Sequence, residues 1–217
     1  MQSKAVSKKI IVFGASGKTG QLVVEQALEA GYLITVIIRN PDAFKLYHKN
    51  LEIIKGDVLE PTTFENAVIG KDAVISCLGS TGKVPTTVYS QGVRNINSAM
   101  CKAGIKRIIC ISAGAIIVPA DGSFITKFVV KNILQRLFKY IYADMLLMEK
   151  ILIKSDLDWT IIRSPRLTNN KRIGKYRIAI NKHLKNLSSI SRADLADYII
   201  THLNDKNTFK ARVEVCY

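Results

Sequence analysis

The sequence is short of acidic residues. It contains 17 Asp and Glu against 32 Lys and Arg in 217 residues, which gives a formal net charge of +15. An excess of positive charge favours anionic partners, such as phosphorylated cofactors, nucleic acid or an acidic membrane surface. The imbalance by itself does not choose among these three.

Cysteine is also sparse, and its positions form no motif. Cys77, Cys101, Cys110 and Cys216 make no CxxC pair and no Cys/His cluster. This spacing argues against both a metal site and a disulfide framework, so we expect no metal ion. Cys77 and Cys110 lie in apolar, strand-like runs and are expected to be buried thiols.

Long hydrophobic runs are missing, although hydrophobic residues make up 48% of the chain. No uninterrupted apolar run approaches the roughly 18 residues of a membrane-spanning helix. The amino-terminal segment MQSKAVSKK leads into a strand-like run and lacks the apolar stretch of a signal peptide. We therefore expect a cytoplasmic protein in a reducing environment.

Short runs rich in Ile and Val alternate along the chain with helix-like patterns. The best runs are apolar continuously, which is typical of strands covered on both faces in a parallel sheet. The alternation predicts an α/β fold with a doubly wound parallel sheet, in a single domain over residues 1–217 whose C-terminal third extends one sheet edge. Strands are predicted at 9–14, 32–38, 51–57, 72–79, 106–114 and 157–163, and helices at 18–30, 61–69, 86–103 and about 124–155.

Three glycines follow the first strand in a GxxGxxG pattern, where the first helix opens. The backbone must turn sharply here, approach a pyrophosphate and let the helix pack on the strand, and glycine serves all three needs. The helix N-terminus then directs amide groups at the phosphates. This context predicts a dinucleotide-binding Rossmann fold, and the alternative is a tight turn that binds nothing. The expected cofactor contacts are Gly14, Ser16, Gly17, Lys18, Thr19 and Gly20.

The second strand ends in a positive charge, Arg39. An acidic residue at this position accepts a hydrogen bond from the ribose 2′-hydroxyl of NAD. A guanidinium instead complements a 2′-phosphate through paired, charge-assisted hydrogen bonds. We therefore predict NADP(H) as the cofactor, with Lys18 and Thr19 adding contacts, and the alternative is a solvated arginine at a strand end.

Further contacts are predicted where the third and fourth strands end. Asp57 and Val58 follow the third strand, where an adenine ring would lie. Asp57 could accept from the exocyclic amine of the adenine or cap the next helical segment, and both readings stay open. Cys77, Leu78 and Gly79 close the fourth strand, and the glycine would let the backbone approach the second ribose or the diphosphate.

Together these motifs resemble the atypical short-chain dehydrogenase/reductase proteins with an NAD(P)H-binding domain. Within that group the chain is similar to the biliverdin-IXβ reductase/flavin reductase and NmrA-like branches. The segments that carry the resemblance are VFGASGKTG, TVIIRNP, GDVLEP, DAVISCLGS, PTTVYSQGVRNINSAM, ISAGA, LDWTIIRSPRL and ISRADLADYII.

The resemblance implies residues at the reacting end of the cofactor. Ser112, at the end of the fifth strand, matches a serine beside the nicotinamide and is the expected catalytic residue. Its hydroxyl would bond the carboxamide or a substrate carbonyl. Ser164, Pro165, Arg166 and Leu167 match the loop that covers the nicotinamide.

Two departures from the family pattern bear on the reaction. Typical members pair a tyrosine with a lysine four residues later as an acid/base, and none of the eight tyrosines here has that lysine. Alcohol oxidation and sugar epimerisation by that mechanism are therefore not expected. Biliverdin-IXβ-type reductases carry histidines where Met145 and Arg166 align; Arg166 could hold an anionic substrate, and Met145 is expected to pack in a core or line an apolar pocket.

Two functions remain open for such a chain. The first is an NADPH-dependent reductase that transfers hydride to a flavin, quinone or similar conjugated acceptor, with the proton taken from solvent. The second is a non-catalytic NADP(H) sensor of NmrA-like type that reports redox state to a protein partner. Turnover in the presence of acceptors separates the two.

Two basic segments leave further alternatives open. Residues 159–193 contain nine Lys and Arg and no acidic residue, which could attract an anionic acceptor or form a solvated surface. Nucleic-acid binding is not favoured, because no reading motif accompanies this patch. In residues 124–142, every fourth position from 127 is polar: Lys127, Lys131, Gln135 and Lys139. This pattern suits a core-packed helix with one solvent-exposed stripe, a lid over the nicotinamide, or a homo-oligomer interface. Contact with a membrane surface is the least favoured reading.

Overall fold

Strands and helices alternate along the chain in the computed structural model, which describes residues 8–80, 84–117, 124–185 and 187–217. The segment MQSKAVSKK, which is expected not to be a signal peptide, lies mostly outside these ranges, because residues 1–7 are not described. The strands are β1 (Lys9–Phe13), β2 (Leu33–Ile38), β3 (Leu51–Lys55), β4 (Ala73–Ser76), β5 (Arg107–Ala113), β6 (Asp158–Ser164), β7 (Arg166–Thr168), β8 (Arg177–Ile180), β9 (Ser189–Ser191) and β10 (Ala211–Cys216). The helices are α1 (Lys18–Glu29), α2 (Glu65–Val68), α3 (Ser90–Ala103), α4 (Phe124–Val129), α5 (Gln135–Leu137), α6 (Lys139–Ile153) and α7 (Arg192–Thr201).

The central sheet has eight strands in the order β3-β2-β1-β4-β5-β6-β10-β8. Its pairs are parallel except at one edge, where β8 runs antiparallel to β10. The strand order reverses between β1 and β4, and in sheets of this kind ligands bind in the crevice outside the strand ends at that point. The predicted doubly wound Rossmann fold in a single domain is confirmed.

Helices cover both faces of the sheet. Side chains of successive strand residues point to opposite faces, so the continuous apolar runs supply two separate cores. In β1, Ile10 and Val12 pack in the layer that holds α1 and α7. Ile11 and Phe13 pack in the opposite layer with α3 and α6.

Several predicted boundaries are wrong in ways that tertiary contacts explain. The helix predicted at 61–69 is a 3-10 turn at Pro61–Thr63 followed by the single turn α2. The helix predicted at 86–103 begins only at Ser90, where Asp144 accepts hydrogen bonds from the backbone N–H groups of Tyr89 and Ser90. A cap supplied from a distant part of the chain leaves no local signal.

The helical region predicted at 124–155 is also interrupted. A π-helical turn at Val130–Leu134 and a break at Phe138 separate α4, α5 and α6. The amide nitrogen of Gln135 donates to the carbonyl oxygens of Ala115 and Ile116, at 3.3 and 3.0 Å. Gln135 therefore anchors this helical region to the turn that follows β5. The solvent-exposed stripe that the fourfold spacing suggested is interrupted at this residue. Across the described ranges, none of the helices combines the length and the apolar character that crossing a membrane needs.

One buried carboxylate ties the C-terminal part of the chain together. Asp194 accepts hydrogen bonds from the backbone N–H groups of Ile173 and Gly174, at 2.8 and 2.7 Å, and from the hydroxyls of Ser191 and Tyr217. Burial acts to raise the pKa of this carboxyl, but these hydrogen bonds outweigh it and hold the pKa below its ordinary value. Asp194 thus links a loop, the start of α7 and the chain end.

We predict that Asp194→Asn lowers the free energy of unfolding by about 1–3 kcal/mol, because the amide nitrogen cannot accept the bonds that the carboxylate accepts. Since folding depresses the pKa of Asp194, its contribution is present above the ordinary carboxyl pKa of about 3.9 and is lost as the pH falls through the folded value. Urea unfolding near neutral pH measures the effect. Asp156→Asn, at an exposed position, is the matched control; equal stability of the two variants would contradict the prediction.

Candidate functional site

A cleft of about 730 Å³ opens at the carboxyl ends of the parallel strands. Its position agrees with the reversal of strand order between β1 and β4. Gly20 and Arg166 are the predicted contact residues that the structure does not bring to its lining. The predicted residues that line it are Gly14, Ser16, Gly17, Lys18, Thr19, Arg39, Asp57, Val58, Cys77, Leu78, Gly79, Ser112, Ser164, Pro165 and Leu167.

Glycine is required at two points of the turn after β1. Gly14 has φ +75°, and a Cβ on it would lie 2.3 Å from the carbonyl oxygen of Cys77. A Cβ on Gly20 would lie 2.2 Å from the carbonyl oxygen of Gly14. Gly14 therefore lets the ends of β1 and β4 come close together. Gly20 lets α1 pack against the turn, although Gly20 itself does not line the cleft.

The first turn of α1 faces the cleft without a competing side-chain cap. Gly17 is the N-cap, no side chain caps the helix, and no acidic residue lies in its first turn. Helix N-termini of this kind attract anions through amide groups and the helix dipole. The glycine turn thus provides a cradle that fits a dinucleotide pyrophosphate.

Positive charge and a carboxylate lie where β2 and β3 end. Arg39 is exposed at the rim of the cleft, and none of the ion pairs within the described residues involves it. Asp57 lines the cleft, and its Oδ1 accepts from the backbone N–H of Leu59 at 3.0 Å. Asp57 therefore stabilises the local turn, and its contact with adenine stays a prediction.

Ser112 lies at the other end of the cleft in a buried polar network. Its Oγ donates to Oε1 of Glu149 at 2.8 Å. The same carboxylate accepts from Nε and Nη2 of Arg163, at 3.0 and 2.6 Å. Because its hydrogen is directed at Glu149, the Ser112 hydroxyl offers lone pairs rather than a proton to a ligand.

The partners of Ser112 in this network, Glu149 and Arg163, were not predicted from the sequence. Glu149 lies in α6 and Arg163 in β6, and both are almost fully buried. A second guanidinium, that of Arg212, lies 3.5 Å from Oε2 of Glu149. In the sequence, Glu149 and Arg163 are each a charged position inside an apolar run. That pattern predicts burial of a charge, but it does not show which residue pairs with it.

Tyr89 lines the cleft, although the sequence analysis does not predict it as a site residue. Its side chain is 3% exposed, and its hydroxyl accepts from the backbone N–H of Ser80 at 3.0 Å. Burial raises the pKa of Tyr89, although the Ser80 bond acts in the opposite direction. The phenol therefore stays protonated. Met145, which aligns with a histidine of the bilin reductases, is nearly buried and also lines the cleft.

The arginine near Leu167 that lines the cleft is Arg192, whereas Arg166 was expected there. Arg166 is exposed on β7 and does not line the cleft. Arg192, the first residue of α7, does line it, and its Nη1 donates to Oδ1 of Asn169 at 2.7 Å and to the Leu167 carbonyl oxygen at 3.3 Å. The described residues contain no group of three His, Cys, Asp or Glu that could hold a metal ion.

Comparison with known families agrees with the geometry of the glycine turn. The family described as NAD(P)H-binding matches residues 14–206. The chain belongs to this family. An uncharacterised chloroplast protein of Arabidopsis thaliana is 28% identical over 214 residues, covering 94% of this chain and 75% of that protein.

Solved structures share the fold of this NAD(P)H-binding protein at low sequence identity. A protein assigned as an NADH-flavin reductase from Streptococcus pneumoniae superposes with a TM-score of 0.79 at 21% identity, covering 97% of this chain and 99% of that one. ChuY, an anaerobilin reductase of Escherichia coli O157:H7, superposes with a TM-score of 0.78 at 21% identity, covering 96% and 97%. At these identities the likeness establishes the fold alone.

We predict that thiol reactivity in the folded protein is confined to Cys101, the exposed cysteine. Burial raises the pKa of Cys77 to about 12, with a smaller contribution from Cys110, so this lining thiol stays protonated and unreactive. Ellman's reagent at about pH 8 should titrate one thiol rapidly and all four after unfolding. Cys101→Ser should abolish the rapid phase; a fast reaction mapped to Cys77 would refute the prediction.

Proposed function

We propose that the protein is an NADPH-dependent reductase that transfers hydride to a flavin, a quinone or a similar conjugated small molecule. One observation carries the proposal: a single cleft has at one end the guanidinium of Arg39, which forms no ion pair with the described residues, and at the other end the Ser112 network. The glycine turn lies between them. This arrangement suits a dinucleotide that lies across the strand ends with its adenosine towards Arg39.

The preference for NADP(H) over NAD(H) is supported by the charge of the rim. Arg39 takes the position of the acidic residue that binds the 2′-hydroxyl of NAD, and Lys18 of the glycine turn lines the same cleft. Neither side chain forms an ion pair with a carboxylate of the described residues. Both charges are therefore available to a 2′-phosphate.

We predict that Arg39→Ala raises the Kd of NADPH by about 10- to 100-fold, because charge-assisted hydrogen bonds contribute about 1.5–3 kcal/mol. The Kd of NADH should change little. Nicotinamide fluorescence measures both values. Lys45→Ala removes an exposed charge outside the cleft and is the matched control. A parallel loss of affinity for both dinucleotides would assign Arg39 a role other than 2′-phosphate recognition.

At the reacting end, the residues bind and orient rather than exchange protons. NADPH held in this cleft would supply a hydride from its C4, and water would supply a proton, so the acceptor would gain both and NADP⁺ would remain. With its hydrogen held by Glu149, the Ser112 hydroxyl can accept from the amide group of the nicotinamide carboxamide. Ser164 donates to the Ser112 carbonyl oxygen at 3.1 Å and helps to fix the strand end. Orientation of this kind supplies much of the rate in hydride transfer.

We predict that Ser112→Ala lowers kcat about tenfold, the equivalent of one lost hydrogen bond of about 1.4 kcal/mol, and changes the Kd of NADPH little. Glu149 keeps both bonds from Arg163 in this variant, so the network survives. Ser112→Thr retains the hydroxyl and should recover most of the rate. Steady-state kinetics give kcat; an unchanged kcat in Ser112→Ala would exclude the orienting role.

The second candidate function is a non-catalytic NADP(H) sensor. Two features of the site fit it: the Ser112 hydroxyl donates its hydrogen to Glu149, and no tyrosine is followed four residues later by a lysine. The test mixes NADPH with the protein and with FMN, riboflavin or a simple benzoquinone. A reductase consumes NADPH faster than the protein-free mixture with at least one of them. Tight NADPH binding without consumption in any mixture would reject the reductase and favour the sensor.

A further inference from the structure

A second cleft, of about 560 Å³, lies beside the first. One side of it is the surface of α1, and the other is the segment 169–172 together with the start of α7. Lys18 and Arg192 are the two residues that line both clefts. The two cavities therefore meet at a junction bounded by an ammonium group and a guanidinium group.

The guanidinium at this junction is held in place, and its Nε and Nη2 have no hydrogen-bond partner among the residues that the structure describes. Only Nη1 of Arg192 makes the bonds to Asn169 and to the Leu167 carbonyl oxygen, at 2.7 and 3.3 Å. Both partners are neutral, and no ion pair within the described residues includes Arg192. A half-buried arginine fixed by neutral acceptors, with Nε and Nη2 left over, suits a bidentate bond to an oxyanion.

The surrounding charges point the same way. Lys18 and Lys171 line the second cleft without an ion pair to any described carboxylate, whereas Arg172 is paired with Asp197. The acidic residues of this cleft, Glu25 and Glu29, follow Lys18 by two and three turns of α1 and so lie away from the junction. Positive charge is therefore concentrated where the two cavities meet.

A buried acceptor inside the second cleft also lacks a partner. Gln26 is 8% exposed, and its amide nitrogen donates to the Ala193 carbonyl oxygen at 2.9 Å. Its Oε1 has no hydrogen-bond partner among the described residues. A buried carbonyl oxygen without a donor is uncommon, and Gln26 makes the wall of this cleft beside Ala193 polar.

We propose that the junction between the two clefts is an anion subsite for the acceptor, in which the guanidinium of Arg192 binds a phosphate on the acceptor's side chain. This inference rests on the proposed reductase function and specifies its substrate as a phosphorylated conjugated molecule. The ring system lies in the first cleft near Ser112, and the side chain passes Arg192 into the second. Arg192 is anchored to Leu167, next to the strand end that holds Ser164, which places the subsite at the acceptor end.

The experiment compares FMN with riboflavin, which differ by one phosphate. Quenching of flavin fluorescence gives the Kd of each for the protein saturated with NADP⁺, so turnover is not needed. We expect FMN to bind about 10-fold or more tightly than riboflavin, from about 1.5–3 kcal/mol of charge-assisted bonding. Arg192→Gln should reduce this ratio to about one, with the loss falling mainly on FMN. Arg94→Gln, an exposed arginine outside both clefts, should leave the ratio as it is.

Three outcomes would overturn the subsite: equal binding of the two flavins by the wild type, an unchanged ratio in Arg192→Gln, or an Arg192→Gln variant that loses NADPH affinity as strongly as FMN affinity. The last would assign the guanidinium to the cofactor. Failure of the proposed function is distinguishable from these results. If FMN binds in an Arg192-dependent way and NADPH is not consumed, the subsite stands and the reductase proposal fails.

Discussion

The close approach of β1 and β4 is the constraint on which the cleft depends. At Gly14 the chain leaves β1 so near the carbonyl oxygen of Cys77 that a single methyl group would collide with it. Because no side chain fills this space, the N-terminus of α1 opens directly onto the strand ends. The absence of a side-chain cap leaves the first turn of α1 available to phosphate oxygens. The binding surface is thus largely backbone, and side chains act mainly at its two ends.

At the reacting end, a buried charge pair determines what the neighbouring serine can do. Removing Glu149 and Arg163 from water is costly, and the cost is offset by two bonds between them and a third from Ser112. The pair also joins α6 to β6, so this helix and the end of this strand are held in one arrangement. Ser112 is left as an acceptor, which agrees with the proposed reaction, in which the protein orients the nicotinamide and solvent supplies the proton.

The sequence was most informative where function is carried by local backbone. The glycine turn, the strand ends at Arg39, Asp57 and Cys77, and the parallel sheet all follow from patterns within a few residues. Contacts between distant segments were not predictable: the cap that Asp144 supplies to α3, the Glu149–Arg163 pair and the arrival of Arg192 beside Leu167. The strands β7 to β9 are too short and too polar to give an apolar run. The family resemblance implies Arg166 at the site, whereas Arg192 reaches the cleft only because the fold brings α7 to it.

The most direct measurement of the central claim is a single-turnover reaction of NADPH carrying deuterium at C4. The protein is first saturated with labelled or unlabelled NADPH and then mixed rapidly with excess acceptor, while the absorbance of the reduced nicotinamide is followed. If hydride leaves C4 within this cleft, the signal decays faster than in the absence of protein, and the label slows the decay. A signal that persists unchanged in the saturated complex, with every acceptor supplied in excess, would contradict the account.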